Sequence, residues 1–182
     1  MRSIAANALA NLGNDFEAVL TALIEMLKDE DSVVRSSAAF ALGKLGNNSK
    51  AVLTALLESL KDEDSSVRFR AAFALGKLGN NSEAVLTALL ESLKDEDSDV
   101  RFSAGDALGN LGNDSEAVLT ALLESLKDED YSVHSSAANA LGKLDKKSRN
   151  ATTAVAHWIE QNRDSEYVEY GINVLWNLVT GE

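Results

Sequence analysis

Apolar residues along this chain fall into two alternating registers, each broken by a polar turn. In the first register, Val52, Leu53, Leu56, Leu57 and Leu60 stand three and four residues apart, which lines them up on one face of a helix. Ser49, just ahead of them, is a helix start signal. The acidic turn Asp62-Glu63-Asp64 follows, and then a second register through Val67, Ala71, Ala74, Leu75 and Leu78. Asp64 suits the N-cap of that second helix, because its carboxylate accepts from the otherwise unpaired first N–H groups. Gly79 suits its end, where a left-handed residue is needed. Turns this short force the two helices antiparallel. The pattern predicts helices over 2–12, 16–28, 31–45, 49–61, 64–78, 82–94, 97–111, 115–127, 130–144, 148–161 and 165–179.

The helix pair is itself repeated. The segment beginning at Leu60 recurs from Leu27, Leu93 and Leu126, a fixed period of 33 residues. Self-similarity at this period marks a solenoid, in which each unit buries its apolar face only against its neighbours. The expectation is one all-α domain over 1–182, in three parts. Residues 1–14 form a leading half-repeat, 15–144 form four 33-residue repeats, and 145–182 form a C-terminal capping repeat. Arg2 aligns with Arg35 and Met1 with Val34, so the chain opens in mid-repeat. That opening suggests a piece of a longer array, or a design that starts there, with an exposed N-terminal face prone to self-association. Oligomeric state is otherwise open. In the last unit Trp176 replaces the glycine found at Gly43, Gly76, Gly109 and Gly142. The internal glycines are expected to let neighbouring repeats approach closely, and Trp176, with Trp158, to cover the open end.

The run Asp64, Val67, Arg68, Ala71, Ala74, Leu75, Gly76, Leu78, Gly79 resembles bacterial HEAT-like repeats, of the variety also seen in phycobilin lyases. It is similar as well to arrays attached to bacterial signalling ATPases. The resemblance covers about 15–144 and implies a right-handed alpha-alpha superhelix, a HEAT-like solenoid of antiparallel helix pairs. His134 in place of the repeat arginine and Asp145 in place of the terminal glycine depart from it. Near-identity among the units is also what a consensus design or a recent duplication would produce.

Composition narrows the chemistry. A formal net charge of −12 argues against nucleic acid and anionic membranes, which both need clustered Lys and Arg. Cysteine is absent, no apolar run is long enough for a membrane span, and the N-terminus lacks secretory signal features, so a cytoplasmic location is the default. The two histidines, His134 and His157, lie in different units without metal-ligand spacing, and no serine recurs beside a base. His134 reads as a substitute for the repeat arginine. Arg35, Arg68 and Arg101, one per unit beside the acidic turns, read as a ladder of Asp–Arg contacts between successive repeats. The chain is therefore expected to be no enzyme and to need no cofactor or metal.

Where the repeats differ from one another is more telling. The first helix is copied almost unchanged, whereas most differences fall on one face of the second. That face comprises Val33, Ser37, Phe40 and Lys44, then Ser66, Phe69, Arg70, Phe73 and Lys77. It continues through Asp99, Phe102, Ser103, Asp106 and Asn110 to Ser132, Ser135, Ser136, Asn139 and Lys143. Core positions do not drift between Phe, Asp and Asn, so the face is expected to meet solvent. By the resemblance it lines the concave side, where solenoids bind. Phe40, Lys44, Phe69, Arg70, Phe73, Lys77, Phe102, Asp106, Asn110 and Asn139 are the candidate partner-binding residues. Exposed aromatics beside arginine are the usual composition of a binding hot spot. Phe69 and Phe102 have a second reading, as core between adjacent repeats. The expected function is a non-catalytic scaffold binding a peptide or protein on its concave face. The alternatives are a phycobilin lyase-like subunit handling a bilin and a designed or truncated scaffold without a native partner.

Overall fold

The computed structural model describes residues 17–148 and 150–180, and among them it contains ten helices and no strand. We number them α1 (Glu17–Met26), α2 (Ser32–Leu45), α3 (Lys50–Ser59), α4 (Ser65–Leu78), α5 (Glu83–Ser92), α6 (Ser98–Leu111), α7 (Glu116–Ser125), α8 (Tyr131–Ser148), α9 (Asn150–Gln161) and α10 (Val168–Thr180). The helix expected at 2–12 and the leading half-repeat lie outside the described residues.

Local chemistry sets the helix bounds. The carboxylates of Asp31, Asp64 and Asp97 accept from the backbone N–H two residues on, at 2.9–3.0 Å, and so cap α2, α4 and α6. Asp130 does the same for Ser132 at the start of α8. Gly46, Gly79 and Gly112 close α2, α4 and α6 with φ between 67° and 69°, a conformation that costs other residues strain. At the fourth equivalent position Asp145 stands instead of glycine, and α8 runs on to Ser148 rather than ending at 144. Without a left-handed residue to stop it, the helix continues.

The helices form two layers. In the second layer α2, α4, α6 and α8 pack side by side, while α1, α3, α5 and α7 lie over them. Leu42, Leu75, Leu108 and Leu141 from the second layer and Leu23, Leu56, Leu89 and Leu122 from the first fill one continuous core. The all-α superhelix of antiparallel pairs is thus the observed architecture.

Glycine sets the spacing of the second layer. A Cβ built on Gly43 would stand 2.7 Å from the Ala74 Cα; the same holds for Gly76 against Ala107, and for Gly109 against Ala140 at 2.8 Å. Only a residue without a side chain permits backbones this close. Gly142 has nothing nearer than Leu178 Cδ2 at 4.0 Å, so the C-terminal pair α9–α10 packs on α8 less intimately. Trp158 is 4% exposed, with the edge of its ring 2.7 Å from where a Gly171 Cβ would be. Trp176 is 62% exposed. Of the two indoles expected at the open end, Trp158 is buried in the core with Lys127 over its ring at 5.7 Å, and Trp176 lies on the surface of the last helix beside exposed Ile172 and Val179.

Candidate functional site

The ladder read from the sequence is present, and each acidic turn divides its labour. Arg35 donates from Nε and Nη2 to the two oxygens of Asp62, both at 2.7 Å, and from Nη1 to the carbonyls of Asp29 and Glu30. Arg68 repeats this toward Asp95 and Arg101 toward Asp128, each arginine reaching a carboxylate 27 residues on. Asp62, Asp95 and Asp128, the first aspartates of their turns, therefore take the arginine of the preceding unit, and the second aspartate caps its own helix. The middle glutamate stays in water: Glu63 is 92% exposed and 3.8 Å from Arg35. These bidentate hydrogen bonds raise the arginine pKa values further. At Asp95 and Asp128 burial acts upward, but hydrogen bonds from the arginine and from a backbone N–H outweigh it and hold both carboxyls below the usual range.

His134 ends the ladder. It occupies the arginine position, is buried, and neither ring nitrogen has a hydrogen-bond partner among the described residues. Its ring packs between Tyr131, 5.1 Å away edge-on, and Tyr170, 4.4 Å away on α10. Packing has replaced an ion pair. His157, on α9, is exposed and contacts Gln161, so the two histidines are not brought together.

The drifting face lies on the open side of the second layer. Phe40 and Phe73, from neighbouring units, are half-buried and stack with ring centroids 5.7 Å apart. The Arg70 guanidinium sits over Phe40 at 4.8 Å and beside Phe69 at 5.2 Å; Lys44 covers Phe40 at 5.9 Å and Lys77 covers Phe73 at 5.5 Å. Each contact places a cation against the electron-rich face of a ring. Lys44, Lys77, Asn110 and Asn139 are exposed, and Phe69, Arg70 and Asp106 are half-buried. Phe102, at 37% exposure, is on the surface, while Phe69 sits between the two readings given to it. Further along, Lys143 donates to Asp106 at 2.6 Å and to Asn110 at 2.9 Å, a polar cluster bridging α6 and α8.

Two members of the stripe are corrected. Ser103 and Ser136 are buried, and their hydroxyls donate at 3.0 Å to the carbonyls of Phe69 and Phe102 in the preceding helix. A hydroxyl is small enough to enter the seam and polar enough to find a neighbour's carbonyl there. Sequence reasoning also missed Asn81, whose amide donates to the Leu111 carbonyl across the same kind of seam. Its type is common in turns and nothing in its spacing marks it.

Tandem antiparallel pairs, a glycine-spaced second layer and an arginine ladder define an α-solenoid whose variable residues share one face. The sequence matches the family model for HEAT repeats over 1–64, 20–109, 52–142 and 86–170, and the chain belongs to that family. A search of curated protein sequences returned no match. Among solved structures, an engineered protein is 27% identical with a TM-score of 0.65, over 97% of this chain and 91% of that one. The complex of CpcE and CpcF of phycocyanin lyase from Nostoc is 26% identical with a TM-score of 0.63, over 75% and 86%. A designed armadillo repeat protein in complex with the peptide (KR)4 is 19% identical with a TM-score of 0.65, over 95% and 91%, a likeness of fold alone. No helix among the described residues is long and apolar enough to cross a membrane.

Proposed function

We propose that the chain is a non-catalytic scaffold that binds a peptide or protein segment along the open face of α2, α4, α6 and α8. The observation that carries this reading is the aromatic ridge. Phe40 and Phe73 stack across a unit boundary, partly in water, under three cations, at positions where the otherwise near-identical units differ. A residue kept for packing would be repeated as faithfully as Leu42 and Leu75 are. Close spacing of the second layer supports a bend with this face on the inside, since the row on the inside of a curve is the more tightly spaced one. Repeat solenoids use such hollows for extended ligands. A partner aromatic laid on the ridge would gain area and ring contacts at little entropic cost.

Selection from a displayed library of linear peptides tests the reading. The native chain should enrich a sequence class that a Phe40→Ala/Phe73→Ala variant does not retain. The variant should stay folded, losing about 1 kcal/mol for the ring pair on top of about 1 kcal/mol or more for each half-buried ring removed. Equal enrichment on both baits, or none on the native chain, would overturn the assignment of this face.

A further inference from the structure

Resting on that reading, we infer that the α2–α4 part of the open face is built for an acidic, extended peptide bearing aromatic residues. The chain as a whole is strongly anionic, with a net charge of −12. Its acids are concentrated at the turns and on the outer helices, for example Glu25, Glu58, Glu91 and Glu124. Neither Ser32–Leu45 nor Ser65–Leu78 contains a single Asp or Glu. Within those two helices Arg35 and Arg68 are neutralised by the ladder. Lys44, Arg70 and Lys77 enter no ion pair among the described residues and lie against aromatic rings. A cation held over a ring keeps its outward donors, and a stacked guanidinium keeps its in-plane N–H groups for a carboxylate. One face thus carries three uncompensated positive charges around a stack of phenylalanines.

Distance decides which charge a ligand feels. At physiological salt the screening length is about 8 Å, so the remote acids are damped while contacts on the ridge are not. Lys44 and Lys77 occupy equivalent positions in adjacent units, whose packed helices lie about 8–10 Å apart. Three residues of extended chain span about 10 Å. A peptide crossing the helices as an extended polyproline II strand, with three residues per turn, would therefore present a carboxylate to each lysine when acids recur every third residue, with an aromatic in each triplet for Phe40 and Phe73.

Fluorescence polarisation on the full chain, with three labelled twelve-residue peptides, tests this. Each has four triplets ending Ala-Phe, and the first residue of the triplet is Glu, Gln or Lys. Three surface ion pairs are worth about a tenfold preference for the Glu peptide over the Gln peptide near 0.15 M salt, shrinking as salt is raised. Lys44→Gln/Arg70→Gln/Lys77→Gln should erase that preference. Lys44→Glu/Lys77→Glu, at two exposed sites, should invert it, with a melting temperature lowered by no more than the loss of two exposed cation–ring contacts. Equal binding of the three peptides, or preference for the Lys peptide, would overturn the acidic class while leaving the face assignment standing. Glu-peptide affinity undiminished in the variants would place the binding elsewhere and overturn it too. No binding of any peptide by the native chain would sink the charge inference together with the reading beneath it.

Discussion

A single hydrogen-for-methyl exchange behaves oppositely at two glycines of this chain. At Gly76 an alanine Cβ would meet the Ala107 backbone at 2.7 Å, so two helices would have to part. Overpacking of this kind costs about 1–3 kcal/mol and outweighs the helix-propensity gain of about 1 kcal/mol. At Gly142 the nearest described atom of another helix is Leu178 Cδ2 at 4.0 Å, and only the propensity gain remains. Gly76→Ala is expected to lower the unfolding free energy and Gly142→Ala to raise it by up to about 1 kcal/mol. Urea denaturation of the two variants checks both signs. The glycine's role as spacer was legible in the sequence, because a helix-weakening residue recurred inside an otherwise good helix. That its last copy has lost this role was not. It depends on how far α10 stands from α8, which no repeat pattern encodes.

At the scale of the element, the acidic turn is the part most sensitive to its surroundings. In an unfolded chain an aspartate titrates near ~3.9, and Asp95 and Asp128 are held below that in the fold. Above the unfolded value both states are ionised and the full contribution is present. As pH falls below ~3.9, the unfolded chain takes up protons first and stability drops. The loss is complete once pH has passed the depressed folded value. Thermal melts should show the melting temperature falling through this acid window. The fall should be shallower in Arg68→Gln, which removes the main hydrogen-bonding partner of Asp95. Helix positions, caps and the existence of the ladder were readable from period and residue type. Which of the two turn aspartates takes the arginine was not, since either is close enough along the chain. The buried hydroxyls of Ser103 and Ser136 escaped for a related reason. Serine at a variable position looks like solvent, and only the neighbouring helix supplies the carbonyl that accepts from it.

For the whole molecule the rungs are uniform until the last. Arg35, Arg68 and Arg101 each clamp the next turn, whereas His134 meets Tyr170 through ring contact alone, and the glycine seam beside it is loose. Stability in such arrays is close to a sum of unit and interface contributions, so the weakest interface governs where opening starts. Hydrogen exchange under native conditions is expected to show α9 and α10 losing protection before α4 and α6, as a cooperative pair. Uniform protection across the array would contradict this account of the interfaces.

The Asp–Arg clamps and the residues proposed for recognition share no contacts. Rewriting Phe40, Lys44, Arg70, Phe73 or Lys77 leaves every clamp intact. Ligand preference in a chain so arranged is free to wander over generations, one cassette at a time, without endangering the frame that displays it.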